Sequence, residues 1–414
     1  MKQLLLTSLF CLSALSLFAQ QSLKDSAVFA GYTTKIENER QAAERQKNYR
    51  FTAALVTEWI GRFNKLPDGT KAAFRHWEPT MYYNMACYEA RLNNIANALT
   101  ALEKAAKMGY HNYTGAIYDS DLKNLHDQKR YRAALQIIWK QSEMAARLRQ
   151  SGAYNHQSDK GLPQFTYQDA ASPELVNFKN KFNLDSVAGN GNEISKIKNL
   201  LRWVHNTVRH NGENWSNPPL KNGLDLIEIC RKEKRPVNCR MLATILKDVY
   251  QAEGFKARLV TCMPKDTADQ DCHVINVVWS KTLDKWLWMD PTYNGYVTDL
   301  KGNLLSIEEV RAKLYEGKIN DLTLNSDANW NNEVQWKGDY YFGFYMSKNL
   351  YWLQCTANSE WDIETDKPGK TQVTYINLYP QGYKLIKSKK RVEFDNIQYA
   401  TNNAELFWQK PALN

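Results

Sequence analysis

The chain of 414 residues is predicted to be an α+β protein. Small apolar residues recur at helical spacing in residues 82–106, which indicates packed helices near the N-terminus. Further along, an amphipathic helix from residue 239 is followed by two alternating strands, which indicates a mixed core. Short aromatic strands separated by loops are predicted from about residue 321. We therefore predict a helical domain over 20–150, a mixed core over 165–320 and a β-rich C-terminal region over 321–414.

The first 19 residues have the features of a signal peptide. Lys2 precedes an apolar run from Leu4 to Ala19, and no further charge appears before Lys24. This run is too short for a membrane span and has the wrong flanks for one, and no later apolar run is long enough. We predict cleavage near Ala19 and an exported protein, periplasmic or extracellular, without a membrane span.

Charge and cysteine content exclude several functional classes. The net charge is +10, but the basic residues are interspersed with acidic ones, as on a solvated surface, and no nucleic-acid module is present. Six of the seven cysteines follow the apolar leader, and none forms a CxxC pair. We therefore expect no metal and no other cofactor. Export would permit disulfides, and Cys262 and Cys272 are close enough in sequence to bridge the loop before His273.

The helical domain has the pattern of one tetratricopeptide unit. Its small and apolar positions allow two helices to pack closely across a turn at residues 91–94. The cap-like segment 119–122 and the helical segment 131–138 predict a partial second unit. A plain helical hairpin is the alternative. Both interpretations predict a docking or spacing element that can contact a protein partner.

A polar linker is predicted over residues 151–164, followed by an amphipathic helix over 195–208. Ser195 is the predicted N-cap of this helix. The histidines near its end, His205 and His210, are predicted to have surface or packing roles. The predicted buried face consists of Ile197, Leu200, Leu201, Val204 and Val208.

The strongest candidates for catalytic residues lie between residues 238 and 292. Leu242, Ile245, Leu246 and Val249 recur at helical spacing, so Cys239 is predicted to begin a helix. The free N–H groups and the positive dipole end of a helix favour a thiolate, which is the nucleophilic form of cysteine.

The next two segments are predicted to form a hairpin. His273 opens one alternating strand, and Asp290 closes the other. With a tight loop centred on Lys281 and Thr282, His273 would lie directly opposite Asp290, where Cβ atoms are about 4.5–5.5 Å apart. A carboxylate there can hold one imidazole nitrogen while the other nitrogen faces the sulfur.

These three segments together resemble the transglutaminase-like superfamily, a papain-like thiol fold, over roughly residues 165–320. The resemblance implies that Cys239 is the nucleophile, His273 the base and Asp290 the residue that orients the imidazole. It also implies an oxyanion donor upstream of the cysteine. Trp215 is our candidate through its indole N–H, and a tryptophan that only lines the cleft is the alternative.

The resulting functional hypothesis is an exported thiol enzyme that cleaves peptide or carboxamide bonds through a Cys239 thioester. Hydrolysis is favoured over transamidation because water is always present. The alternative is a non-catalytic binding or assembly protein on the same scaffold. It would use the helical domain and the aromatic C-terminal segments, whose side chains form either a carbohydrate- or peptide-binding face or a sheet core. Strands are predicted there over 340–345, 373–379 and 392–394.

Overall fold

The chain divides into two compact units, Met1–Ser142 and Glu143–Asn414. It contains both helix and sheet, which confirms the predicted α+β class. The computed structural model describes residues 2–155, 162–213, 216–266, 268–335, 337–367, 372–383, 391–393 and 396–412.

The first unit is helical. Its α-helices are α1 (Lys2–Arg45), α2 (Tyr49–Asn64), α3 (Asp68–Phe74), α4 (Glu78–Arg91), α5 (Ile95–Lys107), α6 (Tyr113–Tyr118) and α7 (Lys129–Gln141), with 3-10 turns at Arg75–Trp77 and Ser120–Leu125. Within the described part of the chain, no helix has the length and apolarity that a membrane crossing needs. The predicted signal peptide lies within α1, and its cleavage stays a prediction.

The predicted hairpin of small residues is formed by α4 and α5. Ala86 and Ala90 of α4 are buried, as are Ala98 and Ala105 of α5, so the two helices approach closely. Asp119 caps the segment after α6, as expected, but the segment is a 3-10 helix rather than an α-helix. The prediction that an α-helix begins here, as part of a second tetratricopeptide unit, is therefore wrong.

Every strand that the structure describes lies in the second unit. Its α-helices are α8 (Glu143–Ser151), α9 (Pro173–Phe182), α10 (Leu184–Ala188), α11 (Glu193–Thr207), α12 (Gly223–Glu233), α13 (Cys239–Ala252), α14 (Ile307–Tyr315), α15 (Gly338–Tyr340), α16 (Ser347–Asn349) and α17 (Ala404–Phe407), with a 3-10 turn at Ile319–Asp321 and a π-helix at Tyr341–Met346. Its strands are β1 (Thr166–Tyr167), β2 (Ala257–Met263), β3 (His273–Ser280), β4 (Lys285–Met289), β5 (Val297–Thr298), β6 (Thr323–Leu324), β7 (Asn329–Trp330), β8 (Val334–Gln335), β9 (Trp352–Thr356), β10 (Asn358–Ser359), β11 (Thr374–Leu378), β12 (Arg391–Glu393) and β13 (Asn396–Thr401).

Seven strands form one sheet in the order β12-β13-β11-β9-β2-β3-β4. Neighbouring strands in this order are antiparallel, except for β11 and β13, which are parallel. The C-terminal strands thus extend the sheet that carries the histidine, because β9 pairs directly with β2.

The helices of the second unit cover this sheet with an apolar core. Val278 of β3 and Leu287 of β4 share one buried cluster with Leu242 and Ile245 of α13. The predicted face of α11 is buried in the same cluster. Its predicted N-cap is wrong, however. The helix begins at Glu193, and the Asn192 side chain accepts a hydrogen bond from the Ser195 N–H at 2.9 Å.

The register of the β3–β4 hairpin differs from the prediction by two residues. Asn276 faces Met289 and Ser280 faces Lys285, so the loop has four residues, 281–284. The Glu193 carboxylate, which comes from α11, stabilises this wider loop by accepting from the N–H groups of Lys281 and Thr282 at 2.8 and 2.9 Å. A shift of two residues keeps every side chain on its original face of the sheet.

The strand predicted over residues 340–345 is also wrong. These residues lie in a continuous helical segment formed by α15, the π-helix and α16. Their aromatic run has no alternation of period two. Tyr341, Phe342 and Met346 are buried, a spacing that suits one face of a helix. The segment brings Tyr341 to Asp290 and Tyr345 to His273, in the site described next.

Candidate active site

Cys239 is the first residue of α13, as the sequence predicts. The Asn238 side chain caps the helix by accepting from the Met241 N–H at 3.1 Å. The thiol is partly exposed and packs beside Ala243 and Val274. Cys239 therefore lies at the positive end of a buried helix and is itself only partly buried.

Two imidazoles lie close to the Cys239 thiol. Burial by itself raises the pKa of this thiol, but hydrogen bonds and charge interactions with His210 and His273 lower it to about 6. Among the described cysteines, Cys239 is the one whose thiol pKa is lowered, because burial raises the pKa of the others. At neutral pH the site therefore favours a thiolate at position 239.

His273 is fixed by a buried carboxylate. Its Nε2 lies 2.7 Å from Oδ2 of Asp290, and both side chains are fully buried. Burial alone lowers the pKa of His273, but the Asp290 charge and hydrogen bond, with the interaction with Cys239, raise it to about 10. The structure thus brings Cys239, His273 and Asp290 together in an arrangement that favours a thiolate beside an imidazolium.

The Asp290 carboxylate is itself held by several donors. Its Oδ1 accepts from the Thr292 N–H at 2.9 Å, and its Oδ2 accepts from the Tyr341 hydroxyl at 2.6 Å. Two backbone hydrogen bonds of 2.8 Å join Asp290 to Gly295 and close the turn. The Trp288 indole N–H donates to the Tyr341 hydroxyl at 3.2 Å, so the support continues away from the thiol.

Tyr345 covers the other side of the His273 ring. Its hydroxyl is 3.3 Å from Nδ1, and the two ring centroids are 5.1 Å apart. Since Nε2 is bound to Asp290, Nδ1 is the nitrogen that can exchange a proton with the sulfur, and the Tyr345 hydroxyl lies beside it. Neither Tyr341 nor Tyr345 was predicted from the sequence to lie at this site, because their segment is predicted to be a strand.

His205 and His210 have different surroundings. His205 is a packing histidine, as predicted, with its ring nitrogens 3.0 Å from the Pro291 carbonyl and 2.8 Å from Asn329 Oδ1. His210 instead lies beside the Cys239 thiol, so the prediction of a surface or packing role overlooked this contact. His210 precedes Cys239 by 29 residues, and no pattern in the sequence pointed to this contact.

The remaining predictions for this region concern Trp215, the disulfide and metal binding. Trp215 lies outside the described residues. Cys262 and Cys272 are both free thiols.

One trio in the helical unit, Cys87, Asp119 and Asp121, has metal-like spacing among the described residues. Its oxygens are already engaged, since Asp119 accepts from the Tyr83 hydroxyl at 2.8 Å and Asp121 pairs with Arg91. This trio is therefore explained by protein contacts alone.

Part of the second unit is similar to known proteins. Residues 180–291 match the family model of the transglutaminase-like superfamily, which confirms the predicted resemblance over this segment. A candidate cysteine protease from Cytophaga hutchinsonii, solved as a crystal structure, aligns at 16% identity with a TM-score of 0.23. The alignment covers 36% of this chain and 46% of that chain. No curated protein matches.

Proposed function

We propose that this protein is a cysteine acyl-transfer enzyme that hydrolyses peptide or carboxamide bonds. The observation that carries the proposal is the juxtaposition of Cys239, His273 and Asp290 at the start of α13. A thiol with a lowered pKa, an imidazole beside it and a buried carboxylate behind the imidazole are the parts that thiol acyl transfer requires.

The proposed acylation step uses all three side chains. The Cys239 thiolate attacks the carbonyl carbon, and the C–N bond breaks as the tetrahedral adduct collapses to a thioester. The proton on His273 Nδ1 passes to the leaving amine, since Nε2 stays bound to Asp290. Asp290 keeps the ring in place and stabilises its positive charge.

The deacylation step determines whether the reaction is hydrolysis or transamidation. If water attacks the thioester, His273 takes one proton from it, and the products are a carboxylic acid and the free thiol. If an amine attacks, the product is a new amide. We favour water, because it is present at high concentration and no amine-binding group is recognisable among the described residues around the thiol.

A peptide library incubated with and without an amine donor tests the proposal. Mass spectrometry should show cleaved or deamidated peptides, and the products should be absent with Cys239→Ala and strongly reduced with His273→Ala. Amine-linked products without hydrolysis would replace the hydrolase assignment with transamidation. Products that persist with Cys239→Ala would refute thiol chemistry. Unmodified peptides with an unreactive Cys239 would favour the non-catalytic binding alternative.

We also propose that the protein is exported and that its helical domain docks a protein partner. The apolar leader ending at Ala19 supports export, and the close helical packing of α4 and α5 supports docking. N-terminal sequencing of protein recovered from the periplasm or medium should begin just after Ala19. An intact leader on the mature protein would refute this cleavage.

A further inference from the structure

The backbone of His210 is fixed relative to the cysteine. The Asn211 N–H donates to the Val237 carbonyl at 2.8 Å, and the Val237 N–H donates to the Arg209 carbonyl at 3.0 Å. The Asn331 side chain holds the His210 backbone through two further hydrogen bonds. Its Oδ1 accepts from the His210 N–H at 2.8 Å, and its Nδ2 donates to the His210 carbonyl at 3.0 Å. Val237 is two residues before the nucleophile, so the position of His210 is tied to the start of α13.

The tautomer of His210 is determined by Trp330. The Trp330 indole N–H donates to His210 Nδ1 at 3.1 Å. An indole nitrogen can only donate, so Nδ1 must accept and the ring proton must reside on Nε2. While this bond holds, His210 is a hydrogen-bond donor through Nε2 and does not take the role of a general base.

The Nε2–H of His210 is the ring donor left for the Cys239 sulfur. The thiol interacts with His210 as well as with His273, and a second base beside one nucleophile would be redundant. A fixed hydrogen-bond donor can instead stabilise the negative charge, which moves from the sulfur to the carbonyl oxygen during attack. That oxygen is bonded to the carbon that the sulfur attacks, so a donor within reach of the sulfur is close to it.

We propose that His210 is a catalytic residue of this site, whose Nε2–H donates to the thiolate at rest and to the oxyanion of the tetrahedral adduct. The inference rests on the proposed acyl-transfer function and assigns the side-chain oxyanion donor to His210. The backbone N–H of Cys239, at the exposed start of α13, is the second donor. Trp330 and Asn331 are positioning residues, because they act through the ring and backbone of His210.

Comparison of two reactions of Cys239 at one pH separates this role from simple thiolate formation. Acylation by p-nitrophenyl acetate passes through an oxyanion, whereas alkylation by iodoacetamide does not. The ratio of the two rate constants cancels the thiolate fraction. His210→Ala should lower the ratio about 100-fold, in the range seen when one oxyanion donor is removed. His210→Gln should recover much of it, because its side-chain amide offers an N–H at a similar reach.

Three further variants serve as comparisons. With both rate constants measured at pH 6, His273→Ala should slow both reactions and leave the ratio near that of the wild type. Trp330→Phe, which frees Nδ1 to carry the proton part of the time, should lower the ratio several-fold. His111→Ala, at an exposed histidine of the helical unit, should change nothing. Circular dichroism melting verifies the fold of each variant.

The outcomes distinguish the two proposals. If the wild type is acylated and a folded His210→Ala protein keeps the same ratio, the role of His210 is refuted and the acyl-transfer proposal stands. If His210→Gln folds and is as impaired as His210→Ala while Trp330→Phe has no effect, a donor role is also refuted. If the wild type forms no acyl-enzyme with any acyl donor, the proposed function fails and the His210 inference fails with it.

Discussion

Removal of the His273 imidazole should change the reactivity of Cys239 in opposite directions at low and high pH. In the wild type the thiol pKa is about 6, because the His210 and His273 interactions outweigh the cost of burial. His273→Ala removes one of the two interactions, so the thiol pKa should rise toward its ordinary value of about 8.5. Two effects of this rise oppose each other, and their balance depends on pH.

The magnitudes follow from the two pKa values. At pH 6, half of a thiol with a pKa of about 6 is ionised, whereas a thiol with the ordinary pKa is about 0.3% ionised, a ratio of about 160. The more basic thiolate is intrinsically the better nucleophile, and with a Brønsted coefficient of about 0.4–0.5 it gains about 10- to 18-fold. The variant should therefore react about 9- to 16-fold more slowly at pH 6. It should react about 8- to 13-fold faster at pH 9, and the two profiles should cross between about pH 7 and 8.

The measurement uses a neutral dipyridyl disulfide and stopped-flow absorbance from pH 5 to 9. Among the cysteines whose exposure the structure describes, Cys272 is the other partly exposed one, so both proteins carry Cys272→Ser. Cys239→Ser in the same background reports the reaction of the remaining thiols. Since His210 is retained, the observed factors should fall somewhat below the upper limits. Parallel profiles that never cross, or a wild-type midpoint near pH 8.5, would refute the idea that His273 ionises this thiol.

Three further predictions concern the same site. The pH profile of kcat/KM on an amide substrate should be bell-shaped. Its acid limb should lie near the Cys239 pKa of about 6, below which the nucleophile is protonated, and its alkaline limb near the His273 pKa of about 10, above which no proton remains for the leaving amine. A profile that rises continuously to pH 11 would contradict this assignment. Tyr341→Phe should lower the free energy of unfolding by about 2 kcal/mol in urea titrations, because it removes a buried hydrogen bond to the Asp290 carboxylate. An unchanged midpoint would show that this bond contributes nothing. Asn238→Ala should cost about 1 kcal/mol in the same assay through loss of the α13 cap, and a loss below about 0.3 kcal/mol would contradict the capping role.

The start of α13 was predictable because its signals are local. Asn238 is a favourable cap, the apolar residues after Cys239 follow the helical period, and Gly254 ends the segment with a φ of +82°. Each of these signals lies within about four turns of the cysteine. The nucleophile and its place at a helix start could therefore be read from a short stretch of sequence.

The hairpin register was not predictable because a distant residue determines the loop. Glu193, at the start of α11, accepts from the N–H groups of Lys281 and Thr282, and no pattern within the hairpin reports that contact. The face of the sheet was still predicted correctly, because side chains alternate with a period of two and the error was two residues. His273 therefore reaches Asp290 diagonally, with Nε2 and Oδ2 2.7 Å apart.

The surroundings of the imidazole were missed for a similar reason. Tyr341 and Tyr345 lie more than 50 residues beyond Asp290, in an aromatic run whose composition favours strand. The segment becomes helical because one face of it is buried, and this burial depends on the tertiary structure. His210 likewise has its defining partners, Trp330 and Asn331, about 120 residues away. Sequence periodicity identifies the elements but not the contacts between them.

The two imidazoles beside Cys239 show how partner residues assign roles to identical side chains. Asp290 can only accept, so it binds a proton on His273 Nε2 and leaves Nδ1 to exchange a proton with the sulfur and the leaving group. Trp330 can only donate, so it occupies His210 Nδ1 and leaves a fixed N–H on Nε2. Under the proposed chemistry, the carboxylate makes one histidine a base and the indole makes the other a donor. Replacing either partner should therefore alter a different step: proton transfer for Asp290 and oxyanion stabilisation for Trp330.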